Sequence, residues 1–248
     1  MSYRALALLL LCLGSTSLPA ALPATADLDA VLLRNVRHGF VDYDGIQADP
    51  AFARYVSGLG NVRPDDLDSR DVRLAFLINA YNALAIQGIL DGAAPSSAFG
   101  RFRYFQREKF GLLGTEFSLD QLERDQLRPL GEPRVHFALA CASLSCPRLA
   151  SHAWSAEKLD ARLDEAARAF ANDGTRNRYD VGRKIAFLSG IFDRYQADFS
   201  KAAGSVQKYL ARYVSDPAAA ALLAKDGFDV RYVEPDWDLN GVYRGKPR

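Results

Sequence analysis

Between about Ser69 and Leu90 lies a stretch that constrains the fold more than any other part of the chain. Leu74, Leu77, Ile78, Tyr81, Leu84, Ala85, Gly88 and Ile89 recur at i, i+3 and i+4, the spacing of one helical face. The opposite face carries Phe76, Ala80, Ala83 and Ile86, so it is apolar too. A helix that is apolar all round belongs in the middle of a core. Asp91-Gly92 supplies its stop signal. Asn79 and Asn82 interrupt the apolar surface, and a buried amide without partners costs about 1–3 kcal/mol. Each must therefore be bonded. It either ties down neighbouring backbone or serves a site by orienting an imidazole or holding substrate.

The rest of the chain reads as material to surround that helix. Short helices are expected over Asp27 to Val36 and Pro50 to Leu59, with a strand or turn at Val41 to Ile46 marked by Asp44-Gly45. Tyr104 to Leu113 reads as a strand or an irregular connection. Ser118-Leu-Asp-Gln121 is a capping box opening a helix to about Arg128. Arg134 to Cys141 reads as an apolar strand behind Gly131-Glu-Pro133. A helix from Ser155 to Ala171 follows, then a hairpin from Arg178 to Leu188 around Gly182. Helices at Ile191 to Phe199 and Ser205 to Val214 precede a last strand at Asp229 to Val233. Strands do not alternate regularly with helices, so the expected class is α+β. The expected architecture is a helix-rich single domain with a small, mainly antiparallel sheet.

The N-terminus bears on compartment. Arg4 precedes the apolar run Ala5 to Leu13, and Ala24-Thr25-Ala26 is an A-x-A cleavage motif, the pattern of a secretory signal. Nine apolar residues are too few to span a bilayer, which needs roughly 20. The expectation is a signal peptide over 1–26, a mature domain over 27–248, and a periplasmic or secreted location without stable membrane insertion. The whole chain has 31 basic and 30 acidic residues. Losing Arg4 leaves the mature part formally neutral, with no basic run, which argues against nucleic acid and anionic membranes as partners.

Chemistry concentrates in Arg134-Val-His-Phe-Ala-Leu-Ala-Cys-Ala-Ser-Leu-Ser-Cys-Pro147. His136, Cys141 and Cys146 give three possible metal ligands in a pattern unlike paired structural zinc elements, so no metal is expected. Export favours a disulfide, which a five-residue separation can close across a turn at Ser143 and Ser145. A thiolate nucleophile with His136 as base competes with that reading, and Cys146 returns toward His136 more easily than Cys141 does. Both remain open here. Serine-hydrolase and phosphate-loop motifs are missing from the sequence, and no cofactor is expected.

Five segments resemble the DUF547 family of unknown function. Phe76-Leu-Ile-Asn-Ala-Tyr-Asn-Ala-Leu84, Ser118-Leu-Asp-Gln-Leu-Glu123 and Arg134 to Pro147 are similar to its helix, its S-L-D-x-I-E segment and its cysteine signature. Ser189 to Phe199 and Asp236-Trp-Asp-Leu-Asn240 resemble its closing motifs. Leu77 and Arg194 stand where that pattern has tryptophan. The resemblance implies no assigned activity. It implies that Asn79, Asn82, His136, Cys141, Ser143, Cys146, Tyr195, Asp198, Asp236, Trp237 and Asn240 converge on one pocket.

The functional expectation is an exported soluble protein with a polar pocket around Asn79, His136 and the Cys141–Cys146 loop, taking an unknown small molecule or peptide. In its enzymatic version it is a cysteine-dependent amide or thioester hydrolase or acyltransferase. Cys141 or Cys146 is then the nucleophile, His136 the base and Asn79 the orienting group. Asn82, Ser143, Tyr195, Asp198 and Trp237 contact substrate. The alternatives are a non-enzymatic binding or scaffold protein with a structural disulfide, and a thiol–disulfide redox protein.

Overall fold

The computed structural model describes residues 22–245. Arg4 and the apolar run to Leu13 lie outside the described residues. Thr25 and Ala26, the end of the proposed cleavage motif, form part of the first helical turn.

In chain order the elements are α1 (Thr25–Asn35), β1 (Val36–Arg37), β2 (Phe40–Asp42), α2 (Tyr43–Ala48), α3 (Pro50–Leu59), α4 (Arg70–Leu90), α5 (Ala98–Phe102), β3 (Phe110–Leu112), β4 (Thr115–Phe117) and α6 (Leu119–Gln121). Then come α7 (Leu159–Ala171), β5 (Arg178–Asp180), β6 (Ile185–Ser189), α8 (Gly190–Arg194), α9 (Gln196–Ala203), α10 (Val206–Leu210), α11 (Pro217–Leu223), β7 (Asp229–Val233) and β8 (Gly241–Val242). The class is α+β.

Helix α4 is the centre. Ser69 caps it, its side chain accepting from the Val72 amide, and 16 of its 21 residues are buried. It is long and apolar enough to cross a membrane by composition alone, yet 83% of its most apolar window is buried inside the protein. Each large side chain it buries contributes about 1.5–3 kcal/mol relative to exposure. Leu28, Val31, Ile46, Phe52, Tyr55 and Leu59 of the three preceding helices pack with it into one core cluster.

A second cluster fills the space between the C-terminal helices and the sheet β5-β6-β7. There β5 and β6 form an antiparallel hairpin, and β7 lies parallel to β6 with Ala186 opposite Val230 and Leu188 opposite Tyr232. Helix α7 spans both clusters, giving Leu159 and Leu163 to the first and Ala167 and Phe170 to the second.

The strands are divided among three small sheets, β1-β2-β8, β3-β4 and β5-β6-β7. Two hairpins turn through paired left-handed residues, His38 and Gly39 in one and Leu113 and Gly114 in the other. That is the geometry matching the natural strand twist, with glycine at the second position.

Two local expectations fail. Asp44-Gly45 does not turn between strands but lies in α2, because Asp42 accepts from the Gly45 amide and caps a helix there. Arg134 to Cys141 is not a strand. Pro133 opens a short 3-10 helix, Pro133–Phe137, with the Glu132 side chain accepting from the Arg134 amide. Beyond it, Asn82 accepts from the Ala140 amide and donates to the Ala138 carbonyl, occupying groups a strand neighbour would use.

Candidate functional site

The 3-10 helix places Val135 in the first core cluster and Phe137 in the second, with His136 between them. Its imidazole is 1% exposed and has a carboxylate on each side. Nε2 lies 2.9 Å from Asp198 Oδ2 on α9. Arg128 grips the same carboxylate with two bonds, Nε at 2.8 Å and an Nη at 3.0 Å. The His136 bond, joined by Arg128 and opposed by desolvation, holds the Asp198 carboxyl well below the usual carboxylate range. An ionised carboxylate only accepts. The proton of that bond therefore sits on Nε2.

On the other side Nδ1 is 3.4 Å from Glu123 Oε1. Both atoms are buried, and neither has a hydrogen-bond partner. The residues that carry this unsatisfied pair both line one cleft.

Glu123 reaches this position through a change in helix winding. The capping box forms as the sequence predicts, Ser118 Oγ accepting from the Gln121 amide and Gln121 Oε1 from the Ser118 amide. The helix then widens to π geometry over Leu122–Leu127. A second π turn, Arg103–Arg107, brings Phe105 and Gln106 to the same cleft. Such turns break the regular ladder and often occur at functional sites.

Tyr195 stacks on His136, ring centroids 3.8 Å apart and planes within 14°. Burial, reinforced by the Glu123 charge, pushes its hydroxyl well above the ordinary phenol range, so it stays protonated. Burial does the same for Tyr81, with Glu123 again adding to it. Arg194 donates to the Tyr195 hydroxyl at 3.1 Å, and its guanidinium lies 5.5 Å from the ring centroid.

These groups line a cleft of about 600 Å³. That is the size of a site for a drug-sized ligand. Phe102, Phe105 and Trp237 form an aromatic wall. The cysteine loop forms another. Cys141 and Cys146 are joined in a disulfide, Cα atoms 5.7 Å apart. Ser143 Oγ lies 3.1 Å from Cys146 Sγ. The chain's last segment straps this loop down: the Leu144 and Ser145 amides donate to the Asp238 and Asp236 carbonyls, and the Asn240 amide donates to Ala142.

Of the residues expected at the site, His136, Cys141, Cys146, Ser143, Tyr195 and Trp237 line this cleft. Asp198 stands behind the histidine as its partner. Asn79 and Asn82 are elsewhere employed. Asn79 donates to the Trp154 carbonyl and accepts from its amide, both at 2.8 Å, and Asn82 clamps Ala138 and Ala140. The imidazole is oriented by Asp198, the role expected of Asn79. Asn240 accepts from the Tyr43 hydroxyl and supports the strap. Leu77 is fully buried in the core, away from the cleft, while Arg194 covers the Tyr195 ring.

Sequence reasoning passed over Glu123, Arg128 and Tyr81 as site residues. Glu123 carried a usable signal, a carboxylate following Leu119 and Leu122 on the apolar side of a capped helix. Arg128 carried none, since nothing local links it to residue 198.

A family model described as "Protein of unknown function, DUF547" matches residues 64–171. The match takes in His136, Glu123 and the disulfide, whereas Tyr195, Asp198 and Trp237 lie beyond it. No curated protein and no solved structure matches the chain.

Proposed function

From the premise that the chain belongs to the DUF547 family, we propose that its cleft is an acid–base active site acting on a small molecule or peptide. The reaction class is hydrolysis of an amide, ester or thioester. One observation carries this reading: the orphaned pair His136 Nδ1 and Glu123 Oε1 lies buried at the floor of a ligand-sized cleft. Unpaired buried polar atoms are rare in native proteins and call for an explanation. A water or substrate atom reaching Glu123 completes the pair. Glu123 takes a proton from the water as its oxygen attacks the carbonyl carbon, and returns that proton to the leaving amine, alcohol or thiol as the bond to it breaks, while His136, held on its far side by ionised Asp198, orients the Glu123 carboxyl. Arg194 and the Tyr195 hydroxyl supply donors for charge developing on the carbonyl oxygen.

A second reading keeps a cysteine as nucleophile, favoured by one fact: the disulfide lines the same cleft as the His136–Asp198 pair. Reduction then activates the protein. In the acid–base reading the disulfide instead shapes the wall, in keeping with export to an oxidising compartment.

The test is a panel of chromogenic esters, thioesters and amides offered to the protein with and without reductant. Turnover that survives cysteine alkylation and drops at least 100-fold in Glu123→Gln supports the acid–base reading. Turnover that requires reductant and is lost in Cys141→Ser or Cys146→Ser replaces it with the thiol reading. Ligand binding without turnover of any substrate in the panel makes this a binding protein.

A further inference from the structure

Three arginines line the cleft, and two of them bond other side chains or carbonyls. Arg176 bonds Asp173 and the carbonyls of Leu144 and Cys146. Arg194 bonds the Tyr195 hydroxyl and lies 3.6 Å from Asp120. Arg101, on α5, differs. Among the described residues it makes no ion pair, and its one side-chain hydrogen bond is a long one, 3.4 Å to the Pro95 carbonyl. It is half-buried, and its guanidinium stacks 4.8 Å from the centroid of Trp237. The Trp237 ring in turn meets Phe105 edge-on.

A guanidinium partly withdrawn from water without a counter-charge is costly to keep. Here it lies over the Trp237 ring, and among the described residues its other donors make no hydrogen bond. A planar fork of N–H groups fits a carboxylate or phosphate in two-point contact. Asp193 and Glu234 also line the cleft, and among the described residues neither makes an ion pair. Those carboxylates repel an anionic group and Arg101 attracts it, so a ligand's anionic end is drawn toward Arg101.

Building on the proposed acid–base cleft, we infer that Arg101 and Trp237 form a specificity subsite for an oxyanion group, a carboxylate or phosphate ester, carried on an aromatic or long apolar body. The body lies along Phe102, Phe105 and Trp237, while the bond to be cleaved lies over Glu123 and His136. Ligands ending in an amide or an amine are discriminated against.

The experiment measures binding of three probes to the oxidised protein by titration while following the His136 ring signals by NMR. The probes are N-acetyl-phenylalanine, its primary amide and phenyl phosphate. The expected result is that one or both anionic probes bind about tenfold or more tightly than the amide. That advantage is lost in Arg101→Gln and weakened by added salt, with amide binding unchanged within twofold. Whichever anion keeps the advantage identifies the oxyanion. Arg101 has no interior partner to orphan, so the variant is expected to fold, and its circular dichroism checks this. Equal binding of acid and amide, or an Arg101→Gln variant that binds the acid as the parent does, overturns the subsite and leaves the acid–base cleft standing. Probes that bind without moving the His136 signals overturn both.

Discussion

Replacing Asn82 by leucine separates a structural clamp from a ligand-binding amide. The two side chains have similar volume, so the change opens little cavity. It removes the bond donated to the Ala138 carbonyl at 2.9 Å and the one accepted from the Ala140 amide at 2.8 Å. Both orphaned backbone groups lie in the interior beside a helix buried on all faces. Each costs about 1–3 kcal/mol, or about 2–6 kcal/mol together. The added apolar burial returns about 1–2 kcal/mol. At the middle of both ranges the expected loss is about 2.5 kcal/mol, a large fraction of the roughly 5–15 kcal/mol that holds a typical domain together. Urea unfolding, followed by tryptophan fluorescence, reads this as a midpoint lowered by about 1–2 M for a slope of about 2 kcal/mol/M. Hydrogen exchange at the Ala140 amide accelerates by a comparable energy. A variant that keeps its unfolding midpoint within about 0.3 M but loses affinity for cleft ligands refutes the clamp, and Asn82 is then a binding residue.

Asn79→Leu, which orphans the Trp154 amide and carbonyl, is expected to cost a similar amount in the same urea assay. Asp198 is depressed in the folded state, so its contribution to stability is complete above the unfolded carboxylate value of about 3.9 and is lost as pH falls from there toward the folded value. Unfolding free energies measured between pH 7 and pH 2.5 should accordingly drop less steeply in Asp198→Asn than in the parent. The Cys141→Ser/Cys146→Ser protein loses the small closed loop, worth about 2 kcal/mol in the chain-entropy model, and calorimetry should register a melting temperature lower by several degrees. At Gly88 an added Cβ would meet Tyr104 Cε2 at 2.9 Å. Gly88→Ala should destabilise the fold by about 1–3 kcal/mol through overpacking, although alanine favours a helix; an unchanged or raised midpoint contradicts that packing.

Helix α4 was legible because its signal is periodic, all-round and long, and periodicity is what burial leaves in a sequence. The Ser118 capping box was legible for the opposite reason, being complete within four residues. The stretch from Arg134 to Cys141 misled because apolar content without a clear period does not distinguish a strand from a coil buried between two cores. Its backbone is satisfied by Asn82, 56 and 58 residues away in the chain. Part of the cleft's lining, including His136, the cysteines, Tyr195 and Trp237, was named from the sequence, yet their roles were not. Which group faces His136 depends on the π turn that lifts Glu123 and on the packing that brings Asp198, 62 residues later, against Nε2. Neither leaves a local pattern.

The most direct test of the account is the protonation pattern of the His136 ring, read from long-range proton–nitrogen correlations on labelled protein near pH 7. A proton is expected on Nε2, shifted downfield and slow to exchange because Asp198 holds it, and lost as a sharp signal in Asp198→Ala. Glu123→Gln is expected to alter the Nδ1 resonance while leaving Nε2–H in place. A ring carrying its proton on Nδ1 alone, exchanging rapidly and indifferent to Asp198→Ala, would contradict the carboxylate–imidazole–carboxylate site on which the proposed chemistry rests.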